Sequence, residues 1–438
     1  MRAAPRRLPG SLGLPVVGES LAFARNPFAF VTKRLARYGR VFKTNVLFAK
    51  TAVLAGPEAA SQFADPALVA RAGAMPPHVS ELYAGESLPA MDGERHRARK
   101  QLVLAAFTPD ALASYLPDVQ RIVERRLARW VELGAFLALD GLEDLAFELI
   151  CANVLGVEAG PEADALAADY KRIARAFTAV PLNFPGTRLS RALAARDRVV
   201  RTLGALVAAR RAAPGADGLS RILAATADDG TRITDDEAVR EVHHLVLAGY
   251  IIYAEFAAIL VALDRYPAIK EQLRAESAEV VAGPLTAGAF ARMPLLEHFV
   301  MEVKRTTPIV PGIFARSKAP FACEGAVIPA GWTLLYATSA SMHDPALFAS
   351  PDTFDPNRFA EGRAEHRQHP CAFVPHGVGP PTGHYCAGAD YATLLMNAFT
   401  VLAVQGYDWT LPEQDLGYDW SVIPPVYASG LRAILEER

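Results

Sequence analysis

The sequence predicts a mainly α fold with a smaller β part, folded as a single domain over residues 1–438. Three observations predict it. From about 80 to 305, and again at about 385–405, apolar residues recur at helical spacing. Short β-like runs gather in about 35–75, 306–345 and 405–438. The segment at 235–266, DDEAVREVHHLVLAGYIIYAEFAAILVALDRY, is apolar on nearly all sides beyond His244, as a helix buried through a core must be.

Each element can be justified in turn. The opening MRAAPRRLPGSLGLPVVG is basic, then rich in Pro and Gly, and lacks the long apolar stretch of a signal peptide. PFAFVTKRLARYG reads as a helix, and VFKTNVLFAKTAVLAG as a hairpin or small sheet. DALASYLPDVQRIVERRLARWVELG at 110–134 and LEDLAFELICANVLG at 142–156 are helical. After 306 come short strands such as ACEGAVIPAGWTLLYAT, then a loop-rich stretch and the helix AGADYATLLMNAFTVLAVQG. The tail VIPPVYASGLRAIL reads as terminal strands.

Composition narrows the function. A 51% hydrophobic chain of 438 residues can bury a large core, and a net charge of −2 gives no basic surface for nucleic acid. The four cysteines are scattered with no C-x-x-C pair, which argues against a zinc site, a dithiol motif or a disulfide framework. A reducing, cytoplasmic setting is expected. No run of roughly 18 unbroken apolar residues is present, so no membrane span is expected. Ala and Arg usage points to a GC-rich bacterial genome.

One cysteine stands apart. GPPTGHYCAG at 379–388 surrounds Cys386 with residues that free the backbone, just before an apolar helix. A helix N-terminus stabilises a thiolate, which is a metal ligand and nucleophile. By itself Cys386 reads equally as a buried, inert thiol. A second segment adds weight: Glu302 and Arg305 form an E-x-x-R within MPLLEHFVMEVKRTTPIVPG. At that spacing they can pair on one helix face, and the apolar surroundings imply burial. Arg358, in FDPNRF, is available as a third member.

Taken together these motifs resemble the cytochrome P450 family over most of the chain. The E-x-x-R, FDPNRF and the Cys-x-Gly of Cys386 and Gly388 stand in that family's order and approximate spacing, and LPGSLGLPVVGESL matches its opening. DGERHRARKQLVLAAF at 92–107 and PLNFPGTRLSRALAARDRV at 181–199 resemble the branch of retinoid and steroid hydroxylases. The resemblance implies the P450 fold, with one long helix crossing a haem b whose iron is bound by the Cys386 thiolate, an electron-donating ligand. It also implies propionate contacts from His96 and Lys100, cofactor contacts from Ala248, Gly249 and Gly388, and a structural triad of Glu302, Arg305 and Arg358.

Three departures from the family stand out. Its long helix carries A-G-x-[D/E]-T, whose acid and alcohol relay protons; this chain has Ala248-Gly249-Tyr250-Ile251-Ile252, and isoleucine has no donor, acceptor or titratable group. Glu255 lies one turn on, with Tyr250, Tyr253, His243 and His244 nearby. The family's haem-contacting arginine aligns with Ala315, while Arg316 sits one residue later. A one-residue slip reverses a strand side chain, so either a bulge restores Arg316 to the propionate, which is expected, or the contact is lost. The cysteine loop, FVPHGVGPPTGHYCAG, carries a few extra residues. Its TGHxCxG part resembles the fatty-acid peroxygenase branch, yet the Arg-Pro which that branch uses for a carboxylate is replaced by Ile251-Ile252. His384 stands at a propionate-binding position, or else caps the loop.

Three functions fit. The first is a monooxygenase acting on an apolar terpenoid-, steroid- or retinoid-sized molecule in biosynthesis, with separate ferredoxin and reductase and non-standard proton delivery. The second is a haem-thiolate enzyme using peroxide, or a redox-neutral isomerase, lyase or cyclase. The third is a non-catalytic scaffold, against which the retained Cys386 and E-x-x-R argue. The pocket is expected from Met75, His78, Val79, Leu82 and Leu88, from 176–187, and from the 245–252 helix face.

Overall fold

The computed structural model describes residues 6–281 and 283–438, so the first five residues of the basic opening lie outside it. The expected hairpin forms from Val41–Val46 and Ala49–Leu54, paired antiparallel. Its two-residue turn places Leu47 at φ 52 and Phe48 at φ 62, the backbone hand that matches the twist of the flanking strands. Thr333–Tyr336 adds parallel to Ala49–Leu54, Ile313–Ser317 adds antiparallel to that, and Val69–Ala70 closes the edge. The tail supplies Arg432–Glu437, which pairs with Tyr407–Thr410 and Ala135–Leu137.

The helices occupy the rest. Gly93–Leu104 begins after Asp92, whose carboxylate does not cap the helix but accepts the backbone N–H groups of Arg71 and Ala72 at 2.8–3.0 Å. That ties the sheet edge to the helix carrying His96. The long segment starts at a capping box, Thr234 with Glu237, which satisfies two helix-end donors reciprocally. It runs Asp235–Gly249, tightens to a 3₁₀ turn over Tyr250–Ile252, and resumes as Tyr253–Arg265. A weak helix former followed by two β-branched residues sits at that interruption.

Asp235–Arg265 is long and apolar enough to cross a membrane, but 78% of its most apolar stretch is buried inside the fold. Helices Tyr253–Arg265, Pro294–Thr306 and Ala389–Gly406 pack on one another. Phe256 and Phe399 meet there with ring centroids 4.7 Å apart. This junction brings Glu255, Lys304 and the start of the post-cysteine helix together.

Candidate functional site

The E-x-x-R pair is buried and fully paired. Arg305 donates from Nε and Nη2 to the Glu302 carboxylate at 2.7 and 2.9 Å, and Arg358 Nε donates to Glu302 Oε1 at 3.0 Å. All three are about 0% exposed. The remaining donors are taken by the carbonyls of Met342, Thr353 and Ala349. Glu365 is a fourth member that the motif did not reveal: its Oε2 accepts Arg358 Nη1 at 2.7 Å. It balances a cluster that would otherwise hold two cations against one anion.

Cys386 lies where the loop meets the helix Ala389–Gly406. Its backbone N–H donates to the His376 carbonyl at 3.0 Å, anchoring the loop to itself. Gly377 and Gly379, at φ 95 and 100, adopt the left-handed backbone that glycine alone takes freely. Residue Cys386 is exposed, while the surrounding protein raises its thiol pKa by desolvation. The Gly388 amide and the charges of Lys100 and Lys304 oppose burial and favour the thiolate, while Glu255 disfavours it. Gly388 thus acts through its N–H. A Cβ there would meet nothing nearer than Phe107 Cζ at 3.9 Å.

A cationic cradle adjoins the sulfur. Lys100, 2% exposed, donates to the Tyr385 carbonyl. The rings of His96 and His384 lie in tilted contact, centroids 4.0 Å apart, and His96 Nε2 is buried with no partner among the described residues. His384 Nε2 lies 3.5 Å from Asp92 Oδ1. Burial, and then the charge of Lys100, pushes His96 down to about 4; burial, and then His96, pushes His384 down to about 3. An orphaned ring nitrogen beside the buried cations Lys100 and Arg71 is a set of groups that an anion would satisfy.

The structure corrects the expectation for Arg316. Ile313↔Tyr336, Phe314↔Leu335, Ala315↔Leu334 and Arg316↔Thr333 pair without a skipped residue, so no bulge rotates the strand. Ala315 faces the core and Arg316 faces solvent. The cation at this edge is Arg71, the residue after the neighbouring strand Val69–Ala70, 5% exposed, with Nη1 donating to the Phe314 carbonyl at 3.1 Å. Its charge is felt at both His96 and His384. Burial lowers its pKa to about 10, and Asp92 offsets this. No motif marks Arg71; only strand pairing across the sheet delivers it.

Along the long helix, Ala248 is exposed in an otherwise buried run and Gly249 is half-buried. A Cβ on Gly249 would lie 2.7 Å from Ile150 Cδ1, so this glycine also serves close packing against the helix Ala138–Ile150. Ile252 is 4% exposed, and Ile251 packs on the core. His243 is bound on both sides, by the Tyr170 hydroxyl at 3.2 Å and the Leu82 carbonyl at 2.9 Å; His244 Nδ1 lies 3.4 Å from Glu241. Both ring nitrogens of His243 are thereby satisfied. Glu255, 6% exposed, is raised by burial to about 7, with Lys304 opposing. Two of the three segments expected to shape the pocket meet: Tyr83 stacks on Phe177 at 5.9 Å, and His78 reaches the Phe177 carbonyl; Tyr83 also lies beside His244, one residue before the 245–252 face. Leu82 and Leu88 are core residues. A surface cleft of about 300 Å³ beside Glu148 and Cys151 shares no residue with this site.

Comparison with known proteins agrees with this geometry. The family model described as Cytochrome P450 matches residues 8–417. Abscisic acid 8'-hydroxylase 2 of Oryza sativa subsp. indica is 31% identical over 98% of this chain and 86% of its own. Putative cytochrome P450 120 of Synechocystis sp. is 30% identical over 93% of this chain and 92% of its own. Among solved structures, retinoic acid bound cyanobacterial CYP120A1 superposes with a TM-score of 0.91 at 27% identity, covering 99% of this chain and 100% of that one. A variant of cytochrome P450SP alpha (CYP152B1) gives 0.82 at 25% identity, covering 96% and 99%.

Proposed function

Because the chain belongs to the cytochrome P450 family, a haem-thiolate oxidoreductase family, we propose that it is a monooxygenase hydroxylating an apolar, natural-product-like molecule of isoprenoid type. The single observation that carries the reading is the placement of Cys386. The residue is exposed at the start of the helix Ala389–Gly406, with the Gly388 amide and the charges of Lys100 and Lys304 supporting the thiolate. When bound, the haem supplies redox and oxygen chemistry that no side chain here can perform.

The chain's own residues supply the setting. Cys386 is the proposed iron ligand. Arg71, His96, Lys100 and His384 are the proposed holders of the propionates, and Ala248 and Gly249 the helix face nearest the cofactor. Glu302, Arg305, Arg358 and Glu365 brace the segments that carry the cysteine loop. Tyr83, Phe177 and His244 form an aromatic wall suited to a flat apolar molecule. Isoprenoid substrates are proposed because the relatives' names carry abscisic acid and retinoic acid, both small isoprenoid carboxylic acids.

With isoleucine at both relay positions, Glu255 is the proposed proton-bearing group. At about 7 it exchanges a proton near neutrality, as a general acid–base group must. The Ile251–Ile252 pair also favours a second reading, in which peroxide or an already activated substrate removes the need for the relay.

The test uses purified protein with candidate isoprenoid acids. Turnover with ferredoxin, ferredoxin reductase and NAD(P)H, and none with peroxide, supports the monooxygenase. Turnover with peroxide alone supports the second reading. Product formed without electrons or oxidant overturns both oxidative assignments.

A further inference from the structure

The E-x-x-R segment reads Glu302-Val303-Lys304-Arg305, and Lys304 has no part in the triad. Its side chain leaves the helix away from Glu302 and Arg305 and is only 5% exposed. Nζ donates to Thr393 Oγ1 at 2.6 Å, and that hydroxyl donates to the Ala389 carbonyl at 2.9 Å. Ala389 opens the helix that follows the cysteine loop, so the amine is tied to the first turn beyond Cys386.

An ammonium has three donors, and Thr393 takes one. Among the described residues no carboxylate lies within ion-pair distance of it. The charges facing it are Glu255 from the helix Tyr253–Arg265, Cys386 from the loop, and Asp390 from the helix Ala389–Gly406; His376 of the same loop feels its charge in turn. Burying an ammonium without a direct partner is costly, and an apolar side chain of similar length would fill the same volume without that cost.

We propose that Lys304 is a fixed positive charge set beside Cys386 that raises the reduction potential of the iron bound there, with Glu255 as its counter-charge. A positive charge close to the iron–thiolate unit favours the state carrying one electron more, and low-dielectric surroundings strengthen the effect. Lys304 is thus a positioning residue for electron acceptance. The proposal rests on Cys386 being the haem ligand.

The experiment uses the full haem-loaded chain. A thiolate-type band in the reduced CO spectrum of the wild type establishes ligation; its absence overturns the ligand assignment and this proposal with it. Where the band is present, redox titration compares Glu255→Gln with Glu255→Gln/Lys304→Met. The glutamine background prevents the carboxyl from compensating by taking up a proton. The expected result is a shift of the equilibrium towards the ferric state by about tenfold, or about 59 mV, with Lys304→Arg retaining the wild-type potential. Lys304→Gln in the same background is measured alongside, as a neutral replacement that keeps a polar group for Thr393. A shift below about twofold in both neutral variants, or an equal fall in Lys304→Arg, overturns the proposal.

Discussion

His96 and His384 lie ring against ring, centroids 4.0 Å apart, although one belongs to the helix Gly93–Leu104 and the other to the loop before Cys386. Arg71 adds its charge to both, whereas Arg316 points into solvent. Arg71→Ala is therefore expected to weaken haem retention by about tenfold or more, the loss of one charge-assisted hydrogen bond. Arg316→Ala is expected to leave it unchanged. Haem transfer to apomyoglobin measures both; equal retention in the two variants would put the cradle in the wrong place.

The Glu302 carboxylate takes four donors, from Arg305 twice, Arg358 and the Asp355 N–H. Glu302→Gln leaves two buried guanidinium groups short of an anion. The expected loss is about 3–5 kcal/mol of stability, read from denaturant unfolding, with most of the protein recovered without haem. A loss under about 1 kcal/mol would class the pair with surface ion pairs.

Glu255 carries a pH signature. Its carboxyl is raised from 4.5 to about 7 in the fold, so the folded state holds its proton more tightly than the unfolded chain. The stability this brings is full below pH 4.5 and is lost as pH rises through about 7. Between pH 5 and 8 the wild type is expected to lose about 2–3 kcal/mol more than Glu255→Gln. Parallel stability profiles for the two proteins would show that the carboxyl is not raised.

His243 works in the opposite direction. Burial lowers it from 6.5 to about 4 while the Leu82 carbonyl partly opposes, so the fold keeps it neutral. Its contribution is present above pH 6.5 and disappears as pH falls towards 4. His243→Gln, which can still bond Tyr170 and Leu82, is expected to lose about 2 kcal/mol less than wild type between pH 7 and 5. Urea unfolding at the two pH values reads this directly.

Much of the site is legible because it is written locally. Glu302 and Arg305 share a helix face by spacing alone, and His96 and Lys100 do the same. Gly377 and Gly379 mark backbone that only glycine adopts freely. The Ile251–Ile252 departure is visible without coordinates. Arg71, Lys304 and Glu365 were not legible. Each acquires its place through a partner distant in sequence: Arg71 through Phe314, Lys304 through Thr393, Glu365 through Arg358.

By itself the sequence determined the fold class, the identity of the proposed iron ligand and the loss of the usual relay. The fold class depends on periods of 3.6 and 2, while the proposed ligand and the missing relay come from the resemblance of its motifs to the P450 family. Tertiary structure alone decided which arginine faces the site. The register between Ile313–Ser317 and Thr333–Tyr336 sets side-chain direction, and a single residue of slip would have exchanged Ala315 for Arg316. It also decided that Glu255 and Lys304 face each other close to Cys386, because three helices meet there and burial makes their charges count.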